Sequence, residues 1–123
     1  MSSQRMQRVG DLLRREISDI MRRRMKDPRL GFLTVTLVEV SPDLRYAKVY
    51  VSSPGPREEL IDRVRILSGA SGFIRSELFK RVTLKFIPEL SFREDRSIEH
   101  SVRISKVLRE LKENEKGGNI ESG

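Results

Sequence analysis

The sequence contains no cysteine and a single histidine, His100, in 123 residues. A disulfide framework, a thiol nucleophile and a cysteine-based metal site are thereby excluded. Neither a zinc finger nor a Ser-His-Asp triad with a histidine to spare has the residues it needs. Long apolar runs are missing as well. The longest, over 30–40, is broken by Gly31, Thr34, Thr36 and Glu39, far short of the roughly 20 residues of a bilayer span. The chain opens Met1-Ser2-Ser3-Gln4-Arg5 without the apolar segment of a secretory signal, which, with the absent cysteines, reads as a cytoplasmic protein. Hydrophobic residues make up 37% of the chain, enough for one core and not two. Residues 1–111 therefore read as a single domain and 112–123, polar and glycine-containing, as a disordered tail.

What the sequence has in excess is positive charge. It carries 25 Lys plus Arg against 18 Asp plus Glu, a net charge of +7. Residues 1–29 hold 9 basic and 4 acidic side chains and residues 57–87 hold 7 and 4, while 30–56 and 88–106 each balance. Arginine outnumbers lysine 18 to 7, and the guanidinium fork grips phosphate bidentately where an ammonium acts as a point charge. The bias suits RNA, although a GC-rich genome or heat tolerance accounts for it equally well.

Met6, Val9, Leu12, Leu13, Ile17, Ile20, Met21 and Met25 recur in steps of three and four and draw one stripe on an amphipathic helix. Its other faces carry Arg5, Arg8, Arg14, Arg15, Arg22, Arg23 and Arg24, with Arg8, Arg15 and Arg22 close to one line. Asp27-Pro28 ends it. Residues 32–41 are rich in β-branched types and predict a strand. Ser41-Pro42-Asp43-Leu44 is turn chemistry, and 45–52 return antiparallel. Ala47, Val49 and Val51 face the core, leaving Tyr46, Lys48 and Tyr50 as either a half-exposed polar face or a base-stacking platform. Pro56 opens a helix through Leu60, Ile61, Val64 and Leu67. Gly69-Ala70-Ser71-Gly72 interrupts it, and Phe73, Ile74, Leu78 and Val82 resume the apolar face, so the segment predicts two helices joined by a kink. Residues 83–93 alternate as a third strand, with Pro88 marking a sheet edge or a bulge. Residues 96–111 predict a weaker helix. The order α-β-β-α-kink-α-β-α is an α+β layer fold. Its long crossover joins parallel strands with right-handed sense, giving a three-stranded mixed sheet with helices on one face.

Glycines three apart between two helices form the phosphate-clamping loop of KH domains, and Arg63, Arg65, Arg75, Lys80, Arg81 and Lys85 surround this one. The plainer alternative is a solvated helix face with Glu59–Arg63 and Glu77–Arg81 paired at i,i+4. The excess of bases in two separate segments favours RNA. Glu94, Asp95 and Glu99 invite a Mg2+-dependent ribonuclease, but Arg93 and Arg96 lie beside them and helix N-termini favour acids in any case. His100 reads as a surface residue. The arginine-rich helix suits an anionic membrane poorly, because Asp11, Glu16 and Asp19 dilute its basic face and the core needs its apolar stripe.

Four blocks, Lys26-Asp27-Pro28-Arg29-Leu30-Gly31, Asp43-Leu44-Arg45-Tyr46-Ala47-Lys48-Val49-Tyr50-Val51, Ala70-Ser71-Gly72-Phe73-Ile74-Arg75 and Pro88-Glu89-Leu90-Ser91-Phe92, closely resemble the ribosome-binding factor A family, in order across residues 5–111. The resemblance implies a KH fold of the second type whose kink is the Ala-x-Gly of Ala70-Ser71-Gly72, with Gly69 outside the motif. It also implies a role in late maturation of the bacterial small ribosomal subunit. Family members bind the free 30S subunit near its neck, assist 5′-end processing of 16S rRNA, matter in the cold, and leave with the help of a ribosome-associated GTPase. No catalytic residue, metal or cofactor belongs to the family. Such a protein works as a monomer, without a membrane, by holding one rRNA conformation. The expected RNA contacts are first Arg8, Arg15, Arg22, Ala70, Ser71 and Gly72, then Arg5, Arg45, Lys48, Arg75, Lys80, Arg81 and Lys85. A ribosome-parking factor on mature ribosomes and the ribonuclease stand as alternatives.

Overall fold

In a computed structural model, which describes residues 2–95, the N-terminal apolar stripe forms helix α1, Ser2–Ile20. Val9, Leu13, Ile17 and Ile20 are turned inward and buried. Gly10 lies on the same side, and a Cβ there would sit 2.4 Å from the carbonyl oxygen of Val38. The helix thus meets the sheet backbone to backbone, at a distance only glycine permits. The helical run reaches Met25 as predicted, but Met21–Met25 winds as a π turn, which apolar spacing does not distinguish from α. Lys26 then adopts left-handed angles, φ 47° and ψ 39°. The Asp27 carboxylate accepts the Arg29 backbone N–H at 2.9 Å, starting a 3-10 turn over Pro28–Leu30 that closes on Gly31.

Strands β1, Thr34–Val40, and β2, Tyr46–Ser52, pair antiparallel, and β2 pairs parallel with β3, Glu89–Glu94, in the order β1-β2-β3. Val35 faces Val51 and Leu37 faces Tyr50, so one extra residue is accommodated near Thr36. That bulge lets Val35 and Val38, three apart, both face the core, which explains the incomplete alternation of the sequence. In the connecting turn the Ser41 hydroxyl accepts the Tyr46 N–H at 3.0 Å and Asp43 accepts the Arg45 N–H at 3.1 Å.

Pro56 caps the next helix instead of opening it. The helix α2 spans Arg57–Gly69, Ala70 leaves the helical path at φ −100° and ψ 9°, and α3 spans Ser71–Arg81. Leu60, Leu67, Ile74 and Leu78 are buried with Ala47, Val49, Val51, Leu90 and Phe92, so all three helices cover one side of the sheet.

The third strand begins at Glu89, not at residue 83 as the alternation predicts. The Arg75 guanidinium donates to the carbonyl oxygens of Ile87, at 2.8 Å, and Pro88, at 3.0 Å. It thereby takes acceptors that a ladder would use, and Pro88 has no donor to offer. Pro88 is fully buried just ahead of an edge strand.

The result is the α+β, KH-like arrangement of a three-stranded mixed sheet with helices on one face. The predicted helix over 96–111, with Glu99 and His100, and the tail 112–123 lie outside the described residues. Replacing Gly10 with Ala should force α1 away from β1 and lower stability by about 1–3 kcal/mol, read as an earlier midpoint in urea denaturation.

Candidate nucleic-acid interface

With the apolar side of α1 buried, its arginines are carried outward. Arg5, Arg8 and Arg15 are exposed, and no ion pair engages them among the described residues. Arg22, Arg23 and Arg24 follow on the π turn, where α1 and α3 run side by side.

At that seam a few carboxylates serve many cations. The Arg81 guanidinium, whose side chain is only 23% exposed, reaches across to Asp19 at 2.7 Å and Glu16 at 3.3 Å. Asp19 also takes Arg22 at 3.2 Å and Arg23 at 2.9 Å. The buried Glu77 carboxylate takes Arg24 and Lys80, each at 3.3 Å. The i,i+4 pair between Glu77 and Arg81 therefore does not form. The packing of α3 on α1 gives Arg81 two acids on the other helix and leaves Glu77 to its neighbours. The companion pair Glu59–Arg63 does form, at 3.4 Å.

Three acids thus face five bases, and the side chains of Arg22, Arg23, Arg24 and Lys80 remain 55–71% exposed. The acids lie beneath and the cations outside, so the surplus charge points to solvent. Hydrogen bonding from Arg81 holds the Asp19 carboxyl below the ordinary aspartate value. Burial pushes Glu77 upward, but Lys80 and the neighbouring guanidiniums outweigh it, so it too ends below the usual range. Both stay ionised at neutral pH.

At the kink, Ala70 is half-buried and Gly72 exposed. α3 starts at Ser71 with no side-chain cap and no acid in its first turn, with Ala70 alone between it and the end of α2 at Gly69. Gly72 has nothing within 4 Å of the position a Cβ would take. Phe73 beside it is 43% exposed.

The remaining predicted residues separate. Arg75 is committed to the chain before β3 and Arg81 to the α1–α3 seam, so both serve the fold. Arg45 and Lys85 converge on the Phe86 ring, 4.4 and 5.5 Å from its centre. Lys48 projects from the opposite side of the sheet with Tyr46, which is 58% exposed. There the Tyr50 hydroxyl donates to Glu39 at 3.3 Å, and burial and that carboxylate raise its pKa. Residues outside the expected RNA contacts, Arg23, Arg24, Lys26 and Phe32, join the basic side. The unbroken run Arg22-Arg23-Arg24 was the available signal for two of them.

Among the described residues no three His, Asp or Glu side chains gather as a metal site. Glu94 takes Arg57 at 2.6 Å, and buried Asp95 accepts the Thr36 hydroxyl. Glu99 lies outside the described residues. No helix among them is long and apolar enough to cross a membrane.

Comparison with known proteins agrees with this architecture. The sequence profile described as ribosome-binding factor A matches residues 5–108. The chain belongs to the ribosome-binding factor A family. A member from Halothermothrix orenii is 49% identical over 115 residues, covering 94% of each chain. The crystal structure of ribosome-binding factor A from Thermus thermophilus superposes with a TM-score of 0.65 at 30% identity, over 72% of this chain and 94% of that one. A homology model of the Thermus thermophilus protein, fitted into the cryo-EM map of a 30S–RbfA complex, gives 0.59 at 31% identity over 71% and 91%. In this ribosome-binding factor A fold the four resembling sequence blocks become the turn after the π segment, the hairpin with β2, the α2–α3 kink and β3.

Because Asp19 is depressed in the fold, its contribution to stability is full above the ordinary aspartate range and is lost as pH falls through the lowered value. Arg81→Met removes the main cause of that depression. The variant should melt below the parent at pH about 7, and the gap should narrow toward pH about 3, as followed by thermal denaturation across that range.

Proposed function

We propose that this protein is a ribosome biogenesis factor that binds the free 30S subunit and assists late maturation of 16S rRNA, including processing of its 5′ end. Residues 1–111 are the binding domain. The observation that carries this reading is the outward layer of cations, Arg8, Arg15, Arg22, Arg23, Arg24 and Lys80, on a fold of the ribosome-binding factor A family. The Thermus thermophilus relative fitted into a 30S complex supports the same partner.

The protein acts by binding energy alone, without catalysis or a cofactor. If it binds one rRNA conformation more tightly than its competitors, the folding equilibrium shifts by that difference in affinity. The setting is the bacterial cytoplasm, the protein is monomeric, its importance grows in the cold, and a ribosome-associated GTPase assists release.

Sedimentation with purified subunits tests the reading. The protein should travel with free 30S particles, and travel with 70S ribosomes instead would overturn the assignment. Affinity should fall on the order of a hundredfold between about 50 and 200 mM salt, the response expected for roughly five neutralised phosphates. Reversing Arg15 and Arg22 to Glu should weaken 30S binding by about tenfold or more, with the melting temperature nearly unchanged. Gly72→Ala should leave the fold intact or stabilise it by up to about 1 kcal/mol while weakening 30S binding, because the added methyl meets no part of the protein itself.

A further inference from the structure

Between the C-terminal half of α1, the π turn and the start of β1 lies an open groove of about 570 Å3, walled by Arg14, Ser18, Met21, Lys26, Leu30 and Phe32 among others. Phe32 at its rim is 83% exposed, so the core makes no use of this ring. Its presentation is nevertheless fixed. Gly31 before it holds φ 59° and ψ −134°, a conformation open essentially to glycine alone. A Cβ at Gly31 would also lie 2.9 Å from the Arg63 guanidinium.

The other wall is equally specified. A π turn commonly marks a functional site, and Lys26 at its end takes left-handed angles although it is not glycine. Arg14 and Lys26 have no carboxylate partner among the described residues, and Arg22, which also lines the groove, shares Asp19 with Arg23 and Arg81. Asp27, the acid in the lining, is already held bidentately by Arg29 at 2.7–3.2 Å. The groove therefore combines an apolar floor, an exposed aromatic rim and uncompensated cations. Its volume falls within the roughly 300–1,000 Å3 usual for small-molecule sites.

We propose that this groove receives one unpaired nucleotide of the bound RNA. The base stacks on Phe32 and the flanking phosphates meet Arg14, Arg22 and Lys26. Stacking on an aromatic supplies affinity with little dependence on which base is taken, and the cations account for the backbone. The proposal rests on the RNA-binding reading above and adds to it a site distant in sequence from the α2–α3 kink.

The chain contains no tryptophan, so Phe32→Trp installs a single indole reporter at the rim. Titrated with a pentaadenylate RNA, its emission should quench saturably. Inorganic polyphosphate of matched charge should bind without that quenching, and Lys26→Gln in the same background should weaken the RNA response severalfold. Equal quenching by polyphosphate, or none while the RNA binds, would overturn the stacking assignment. On purified 30S subunits Phe32→Ala should weaken binding about tenfold and Phe32→Tyr should restore it. Since the ring is exposed, neither change should alter the melting temperature. If parent and Phe32→Ala bind 30S subunits equally, the groove proposal fails and the function above stands. Failure of the parent itself to bind them overturns that function, whatever the fluorescence shows. A groove that instead takes a ribosomal protein side chain would show Phe32-dependent 30S binding with no RNA quenching, and this too overturns the proposal.

Discussion

The backbone contact between Gly10 and Val38 is the constraint from which the rest of the architecture follows. Leaving no room for a Cβ, it brings α1 against β1 and sets the rotation of the helix about its own axis. Leu13, Ile17 and Ile20 then enter the core. Helical periodicity does the remainder, since residues half a turn away must point to solvent. The exposed arginines of α1 and the position of the π turn beside α3 are consequences of that rotation. A helix displaced outward there would misalign Asp19 with Arg81 and loosen the seam that gathers the cations.

How much of this was legible in the sequence depended on the range of the interactions involved. The α1 stripe, the Ser41–Asp43 turn and the break at Ala70 are local, and their residue types and spacing already state them. The bulge near Thr36 was visible only as imperfect alternation, because a bulge is defined by the strand opposite. The late start of β3 was hidden because the side chain that takes its carbonyls, Arg75, is on α3. The site divides in the same way. Arg8 and Arg15 could be placed on an outer helix face from their spacing. The commitment of Arg81 to Asp19 and Glu16 could not be foreseen, since local spacing offered Glu77 as an equally good partner. Phe32 looked like the first residue of a strand, and only the angles of Gly31 reveal that it is held away from the core.

On the proposed RNA surface, the ion pairs of the seam between α1 and α3 leave a surplus of exposed cations. The outer cations Arg22, Arg23, Arg24 and Lys80 are exposed, where an ion pair contributes little to stability, and what their pairs supply here is position. Because Asp19 is shared by three guanidiniums and Glu77 by two cations, an incoming phosphate can draw one cation away without stranding a carboxylate. At the proposed RNA surface, capture is then an exchange between two anions, free of the cost of a buried charge left alone. Release returns each cation to a carboxylate that is still in place, so neither direction of the exchange leaves a charge unpaired.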